Sequence, residues 1–334
     1  MASADGVEKL EDVIVRSAEQ LAGNIRTARE AISNVIFGQE RVVENTLVTI
    51  LSGGHALLIG VPGLAKTKLV ETLGVTLGLD AKRIQFTPDL MPSDILGAEV
   101  LDESGGGRRS FRFIAGPVFA QLLMADEINR ASPRTQSALL QAMQEQHITV
   151  AGARHDLPKP FHVLATQNPL EQEGTYPLPE AQLDRFLMEI DVDYPDHDAE
   201  RRILFETTGA EETAPKAAMS VEDLMAAQRL VRRLPVGNSV VEAILSLVRA
   251  ARPGPEAGET GKLIAWGPGP RASQALMLAV RARALLDGRL APSIDDVVDL
   301  AEPVLKHRMA LTFAARAEGR TLTDVIGQLK TRVG

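Results

Sequence analysis

The sequence contains no cysteine, so disulfide bonds and thiolate metal sites are excluded. The absence is compatible with a reducing compartment. No apolar run approaches the roughly 18 residues that a membrane-spanning helix needs. The first residues, Met1–Gly6, also lack the basic start and the apolar core of a signal peptide. We therefore expect a cytoplasmic protein without a membrane span.

The size and charge of the chain indicate the number of domains and the class of protein. Its 334 residues exceed the usual length of one domain, so two domains are expected. Hydrophobic residues make up 45% and charged residues 24% of the chain, which is ordinary for a globular protein that buries a sizeable core. The net charge of −8 argues against a general nucleic-acid binder, although a local basic patch is compatible with it.

A glycine-containing loop between an apolar run and a helical pattern is the most informative segment. The run is Ala56–Ile59, and the loop continues as Gly60, Val61, Pro62, Gly63, Leu64, Ala65, Lys66 and Thr67. This layout is typical of a nucleotide phosphate site, where loop N–H groups and a helix start bind phosphate oxygens. We expect the Lys66 ammonium to neutralise the β- and γ-phosphates and the Thr67 hydroxyl to ligate Mg²⁺. A plain strand–turn–helix connection is the alternative.

Ala65 departs from the usual pattern, in which glycine precedes the lysine. Because alanine disfavours positive φ, we expect a negative φ at Ala65 so that the loop can close. The spacing alone does not establish the phosphate site, and other segments of the chain have to support it.

Two adjacent acids, Asp126 and Glu127, follow the apolar run 121–125. Acids at the end of a core strand are costly unless they are paired or solvated. In a nucleotide site, Asp126 would accept a hydrogen bond from Mg²⁺-bound water, and Glu127 would polarise the attacking water. The later run 161–166 leads to Asn168, whose amide could orient that water if the two strands are neighbours. An apolar run before two acids is common, so the phosphate loop upstream is what favours this interpretation.

Phe37 and Gly38 form a turn between two helical patterns. In nucleotide motors of this layout such a turn often borders the adenine. The alternative is a simple helix connection in which Ile36 and Phe37 are buried.

Two arginines also have two interpretations each. Arg185 either projects towards the phosphate of a neighbouring subunit or pairs with Asp184 or Glu189 on its own segment. Arg271 stands at a predicted helix start, where it opposes the helix dipole. It therefore needs a nearby anion, either a γ-phosphate or an acidic side chain.

Glycines and prolines interrupt the segment 88–117. Within it, residues 98–101 and 111–114 could pair as a hairpin across three glycines. A small insertion that ends in strands and a disordered surface loop both fit this pattern. Residues 148–150 and 154–157 indicate a second hairpin.

The C-terminal part of the chain has a helical pattern. A charged linker at 208–219 precedes it, and glycines and prolines at 252–269 predict a long loop. The predicted helices are Val221–Leu234, Val240–Ala251, Ala272–Leu286 and Ile294–Arg308.

Together these segments resemble, in order and spacing, the Walker A, Walker B, sensor 1, arginine-finger and sensor 2 elements of AAA+ ATPases. The elements are Gly60–Thr67, Leu122–Glu127, Thr166–Asn168, Leu183–Phe186 and Arg271. The sequence is more similar still to one branch, the MoxR family, in which alanine before the lysine is the usual form. The residues that carry this resemblance are Phe37–Gln39, Gly60–Thr67, Asp126–Ala131, Ala165–Pro169 and Glu173–Phe186. It covers nearly the whole chain.

The resemblance implies an α/β fold. A P-loop AAA+ core at 1–207, with a five-stranded parallel sheet flanked by helices, would be joined by the linker 208–219 to an all-helical lid at 220–334. Segment 88–117 would be the helix-2 insert of this branch, and 147–158 its pre-sensor hairpin.

It also implies an ATPase with ATP and Mg²⁺ bound between the subunits of a homo-oligomeric ring, usually a hexamer. The phosphate loop, the two acids and Asn168 would act from one subunit and Arg185 from the next. For Arg271 the family leaves open whether the contact is within or across subunits. A client protein and a von Willebrand factor A domain partner in trans are implied, and no nucleic acid.

MoxR proteins are regarded as chaperone-like motors that mature or activate other proteins, in some cases by metal insertion. We therefore expect an ATP-hydrolysing motor that matures, activates or remodels client proteins or complexes. The alternatives are the motor subunit of a magnesium-chelatase-like complex and a nucleotide-switched assembly scaffold with little turnover. A DNA helicase of related build is disfavoured, because Arg154–Asp156 on the second hairpin is near neutral and the chain is acidic.

Overall fold

The structure is a computed structural model that describes residues 4–104, 108–171, 174–209, 213–254 and 258–333. The strands in these ranges are β1 (Ala56–Ile59), β2 (Ala81–Gln85), β3 (Gly97–Ser104), β4 (Arg108–Ala115), β5 (Leu122–Asp126), β6 (His147–Val150), β7 (Ala153–Asp156), β8 (His162–Gln167), β9 (Met188–Asp191), β10 (Ile264–Trp266) and β11 (Ala310–Leu311). The helices are α1 (Ala4–Ser33), α2 (Glu40–Leu51), α3 (Lys66–Thr76), α4 (Pro92–Leu96), α5 (Pro133–Glu145), α6 (Glu180–Leu183), α7 (His197–Thr207), α8 (Val221–Val231), α9 (Asn238–Ala250), α10 (Glu259–Leu263), α11 (Pro270–Leu286), α12 (Ile294–Leu305), α13 (Phe313–Ala317) and α14 (Leu322–Lys330).

A five-stranded parallel sheet forms the centre of the molecule, in the order β2-β5-β8-β1-β9. This confirms the predicted fold class. The inner strands β1, β5 and β8 are almost wholly buried and their central residues are apolar, as helices on both faces of a parallel sheet require. The edge strand β2 is largely exposed and carries charged side chains. The carboxyl ends of the strands lie at one edge of the sheet, and that edge positions the site described below.

Two hydrophobic clusters cover the two faces of this sheet. Successive strand residues point to opposite faces, so Leu58 and Met124 join one cluster while Leu57 and Leu123 join the other. The first cluster also contains the buried faces of the C-terminal helices. There α11 packs on α2, α12 on β9 and α8 on α1. The helical C-terminal region is therefore fixed to the face of the sheet that α1 and α2 cover.

Both predicted hairpins are present. Strands β3 and β4 pair antiparallel, with Ala98 opposite Ile114 and Leu101 opposite Phe111, which favours the insertion over the disordered loop. The central glycines, residues 105–107, lie outside the described residues. Strands β6 and β7 form the second hairpin. The two contact each other, since the rings of Phe113 and His155 stack with their centroids 3.9 Å apart.

The C-terminal region is helical, but one prediction for it was wrong, and one predicted helix changes type in its last turn. The long loop expected at 252–269 contains α10 and β10, and β10 pairs antiparallel with β11. The partner strand lies more than forty residues away, so no local pattern announces the pairing. The helix predicted over 294–308 ends at Leu305 and tightens into the 3₁₀ turn Lys306–Arg308. Among the described residues, no helix is long and apolar enough to cross a membrane.

Two buried histidines lie where the sheet meets the C-terminal helices. His162 contacts the carbonyl of Gly54 through Nδ1 at 2.8 Å, and its Nε2 lies 3.1 Å from Nε2 of Gln228 on α8. Nδ1 of His55 accepts a hydrogen bond from the backbone N–H of Val163. Burial lowers the pKa of His55 to about 3 and that of His162 to about 4. Both imidazoles are therefore neutral in the folded protein at neutral pH.

Because the folded-state pKa of His162 lies below its unfolded value, its contribution to stability is present above pH ~6.5 and is lost as pH falls towards about 4. Between pH 7.5 and pH 5 we expect this residue alone to remove about 2 kcal/mol from the free energy of unfolding. Urea unfolding of a His162→Asn variant at the two pH values should show a correspondingly smaller pH effect than wild type. The exposed His197 supplies the control substitution, His197→Asn, and equal pH effects in all three proteins would contradict the assignment.

Candidate functional site

The loop after β1 is shaped by its glycines. A Cβ on Gly60 would lie 2.6 Å from the carbonyl oxygen of Val192, so a larger residue cannot occupy this position. Gly63 has φ +87°, in the region that glycine favours. Helix α3 then begins at Lys66, so its unpaired N–H groups face the same space as the loop.

The prediction of a negative φ at Ala65 was wrong. Ala65 has φ 56° and ψ 19°, a left-handed conformation that costs a non-glycine residue about 1–2 kcal/mol. The residue immediately before α3 has to reverse the chain so that the loop N–H groups converge, and this requirement outweighs the Cβ penalty. Strain of this kind is often found at ligand sites.

The Lys66 ammonium lies inside the loop. Its Nζ donates to the carbonyls of Gly60 at 2.6 Å and Val61 at 2.7 Å. Burial lowers the pKa of Lys66, and the nearby charges of Asp126 and Glu127 oppose that lowering. The lysine is therefore placed between the backbone of the loop and the two acids.

The two acids occupy the carboxyl end of β5 and are held differently. Asp126, only 9% exposed, accepts hydrogen bonds from Nη2 of Arg83 at 2.6 Å and from Oγ1 of Thr166 at 2.5 Å. Oε2 of Glu127 accepts from Nε2 of Gln85 at 2.7 Å and from Nη1 of Arg130 at 2.9 Å. Each carboxylate thus has a fixed orientation towards the loop.

Asn168 lies beside these acids because β5 and β8 are neighbours, as the sequence analysis required. The hydroxyl of Thr166 joins the two strand ends, since it donates to Asp126 and accepts from the backbone N–H of Glu127 at 2.9 Å. Oδ1 of Asn168 accepts from the backbone N–H of Leu170. Its amide group is therefore oriented next to the acids.

Two adjoining cavities share the glycine loop. The polar one, of ≈ 470 Å³, is lined by Pro62, Gly63, Leu64, Ala65, Lys66, Thr67, Lys68, Arg83, Gln85, Asp126, Glu127, Thr166 and Asn168. The more apolar one, of ≈ 230 Å³, is lined mainly by 34–37, Gln39, 63–65 and residues at both ends of α7. An apolar space next to a cationic, N–H-rich loop suits a planar base attached to phosphates.

The turn before α2 is buried, as the simple helix connection predicts, and it also borders the apolar cavity. Phe37 is only 8% exposed and has the guanidinium of Arg202 over its ring, 4.3 Å from the centroid. It also lines the apolar cavity. Gly38 does not line it, but a Cβ there would lie 2.5 Å from Cβ of Ala199. Gly38 is therefore needed for the contact between this turn and α7.

Arg185 and Arg271 are brought together, but away from Lys66. Both line a third cavity, of ≈ 280 Å³, which includes Gly53, Gly54 and His55 ahead of β1. The carboxylate of Asp184 lies 3.7 Å from Nη1 of Arg271, so the acidic neighbour sought for Arg271 is found. Within the described ranges, neither Asp184 nor Glu189 is within ion-pair distance of Arg185, because they pair with other cations.

Three side chains of the site were not predicted from the sequence. Arg83 and Gln85 on β2 and Arg130 in the turn after β5 hold the two acids. The sequence feature that could have indicated Gln85 is a polar residue at the end of a predicted strand. In the structure, the register of β2 on β5 places Gln85 beside Asp126.

Comparison with known proteins shows what the chain is similar to. Residues 55–188 match the model of the ATPase family associated with various cellular activities (AAA), and residues 257–329 match an AAA lid domain. Chaperone MoxR1 of Mycobacterium tuberculosis is 43% identical over 306 residues, 90% of this chain and 80% of that protein. Protein MoxR of Paracoccus denitrificans is 32% identical over 319 residues, 90% and 93% of the two chains. A solved structure of a candidate ATPase from Cytophaga hutchinsonii superposes with a TM-score of 0.89 at 36% identity, covering 98% of both chains.

Proposed function

Since this chain belongs to the MoxR family of AAA+ ATPases, we propose that it hydrolyses ATP at the interface between two copies of itself (the seam). The hydrolysis would drive the maturation, activation or remodelling of client proteins. The phosphate loop and the acids act from one copy, and the two arginines of the third cavity act from the next.

The observation that carries this proposal is the position of the arginines relative to the sheet. The Lys66 cavity lies beyond the carboxyl ends of the strands, whereas Arg185 precedes the amino end of β9 and shares a cavity with residues ahead of β1. A four-residue strand spans roughly 13 Å. Arg185 therefore stands at the opposite end of the strands from its own phosphate loop, and a second copy is needed to bring this arginine to the γ-phosphate.

The first copy supplies the hydrolytic groups. The loop N–H groups and Lys66 bind the β- and γ-phosphates. Asn168 orients a water, and Glu127 takes its proton as the water oxygen bonds to the γ-phosphorus and the bond to the bridging oxygen breaks. ADP and phosphate are the products.

The residues present fit Mg²⁺. The Thr67 hydroxyl and the Asp126 carboxylate line one cavity and are hard oxygen ligands of the kind Mg²⁺ takes. Because both oxygens of Asp126 already accept hydrogen bonds from Arg83 and Thr166, this carboxylate would act mainly through metal-bound water. Bound Mg²⁺ would neutralise charge that develops on the phosphate oxygens.

The second copy contributes Arg185 and Arg271. They line one cavity, so a γ-phosphate that enters this surface meets two guanidinium groups. An arginine finger of this kind is worth about 10³–10⁵ in turnover. The shared cavity favours action across the seam for Arg271 as well, a point that the sequence left open.

The assembly and its partners follow from the family. An interface whose two faces differ gives a closed ring when the rotation between successive copies closes, and an open filament otherwise; on the family resemblance we propose a closed hexamer. A client protein is proposed on the same basis, supported by the chaperone name of a 43% identical relative. A von Willebrand factor A partner in trans and metal insertion into the client are proposed from the family resemblance alone. The cytoplasmic location stays a prediction.

A seam site makes turnover depend on assembly. Phosphate release per subunit should rise with protein concentration over the range in which sedimentation shows the ring to form. Arg185→Ala should lower turnover about 10³-fold at full assembly, while Arg154→Ala, which removes an exposed arginine of the second hairpin, should not. Turnover that stays constant as the assembly dissociates would contradict the seam.

A further inference from the structure

Arg308 is a charged side chain with almost no access to solvent. It follows α12 and is 2% exposed, although arginine is rarely buried without partners. Nε donates to Oδ1 of Asp184 at 2.7 Å, and Nη2 donates to the carbonyls of Phe186 at 2.6 Å and Asp184 at 3.4 Å. Nη1 donates to the carbonyls of Leu187 at 3.1 Å and Val304 at 2.5 Å. Four of these five bonds reach the segment 184–187.

That segment carries Arg185 between residues that Arg308 holds. The backbone N–H groups of 184–186 bond within the turn, to the carbonyls of 180, 182 and 183. The carbonyls of 184, 186 and 187 accept instead from Arg308, and Nε2 of His307 adds a contact of 3.1 Å to Phe186 O. The conformation at Arg185 is thus held from two sides, by its own turn and by Arg308 and His307 of the helical region.

Asp184 also connects Arg308 to the second arginine, Arg271. Its Oδ1 accepts from Arg308, and its Oδ2 lies 3.7 Å from Nη1 of Arg271. Burial lowers the pKa of Arg308, and the hydrogen bond and charge of Asp184 oppose that lowering. Since a buried charge that loses its partner is strongly unfavourable, Arg308 and Asp184 constrain each other.

We propose that Arg308 is a positioning residue that sets Arg185 and Arg271 at the seam, so that the C-terminal helices of one copy control hydrolysis at the phosphate loop of the next. This rests on the proposed function. Arg308 does not line the Lys66 cavity, so its loss leaves the loop of its own copy competent. The defect therefore appears in trans.

Turnover and subunit mixing test this. Arg308→Gln should lower turnover by about 10²-fold, the effect of misplacing a reacting group by ~1 Å, with ATP affinity within a few-fold of wild type. Arg308→Lys keeps the charge but cannot make the forked contacts, so it should be intermediate. The matched control is Arg289→Gln, which removes an ion pair of 2.6 Å to Asp296 within the helical region and should retain turnover.

Mixing two variants before the ring assembles shows whether the defect of Arg308→Gln lies at its own phosphate loop or at that of the neighbouring copy. Lys66→Ala lacks its own phosphate contact but keeps an intact arginine face, the surface that presents Arg185 and Arg271. In a mixture with Arg308→Gln, roughly a quarter of the seams pair an intact loop with an intact arginine face, and activity should return at those seams. A mixture of Arg308→Gln with Arg185→Ala should stay inactive, since neither copy presents a working arginine face. If Arg308→Gln fails to fold, Arg308→Lys takes its place in both mixtures.

Two results would overturn the proposal. One is wild-type turnover in Arg308→Lys, and the other is recovery of ATP turnover when an Arg308 variant is mixed with Arg185→Ala. The pair Lys66→Ala with Arg185→Ala reports on the seam alone. If that pair fails to recover, the two-copy site itself is wrong. If it recovers and the Arg308 variants behave otherwise than expected, only the positioning role is wrong.

Discussion

Replacing Glu127 by glutamine is expected to lower ATP turnover by about 10²–10⁴-fold, the usual contribution of a positioned general base. Glutamine has nearly the same shape, and its carbonyl oxygen can still accept the hydrogen bonds from Gln85 and Arg130. It cannot take a proton from the attacking water. ATP should therefore stay bound while phosphate release stops, which equilibrium binding and steady-state phosphate assays measure together.

Glu171→Gln is the matched control for this substitution. The Glu171 carboxylate lies 4.0 Å from the same Arg130 but does not line the polar cavity. Near-normal turnover is expected for it. If Glu127→Gln also turns over ATP at the wild-type rate, Glu127 is not the base.

Replacing Lys66 by alanine should abolish useful nucleotide binding. Its ammonium is the cation inside the glycine loop, within hydrogen-bond distance of Gly60 O and Val61 O. Losing a charge-assisted contact at this half-buried site costs about 2–5 kcal/mol, which corresponds to a rise in Kd of about 30-fold to a few thousand-fold. Titration with a fluorescent ATP analogue measures this directly.

Lys82→Ala serves as its control, because Lys82 is exposed and donates to the carbonyl of Phe119, away from both nucleotide cavities. Its affinity should match wild type. An unchanged Kd in Lys66→Ala would reject the phosphate site at this loop.

Local patterns predicted much of the fold. Apolar runs followed by a glycine loop or by polar residues indicated β1, β5 and β8, and both hairpins were predicted from alternation around turn residues. These features depend on neighbours in sequence, which a single chain displays. The pairing of β10 with β11 depends on a partner more than forty residues away, so the glycines and prolines around β10 suggested a loop.

In the candidate site too, local sequence predicts some features, and others depend on parts of the chain that are distant in sequence. The residues of the loop and the acids follow from motif spacing, but φ at Ala65 is determined by closure of the loop in three dimensions, and the local preference of alanine gave the wrong sign. Gln85 reaches Glu127 only because the β2–β5 register sets it beside Asp126. The shared position of Arg185 and Arg271 requires the start of α11 to lie beside the turn before β9, which no motif encodes.

A structure of the assembled Glu127→Gln protein with Mg²⁺ and ATP tests the central claim most directly. The account predicts ATP at Lys66 of one copy, with the guanidinium of Arg185 from the adjoining copy at hydrogen-bond distance from the γ-phosphate. An assembled ring in which Arg185 lies far from every neighbouring nucleotide would contradict the two-copy site.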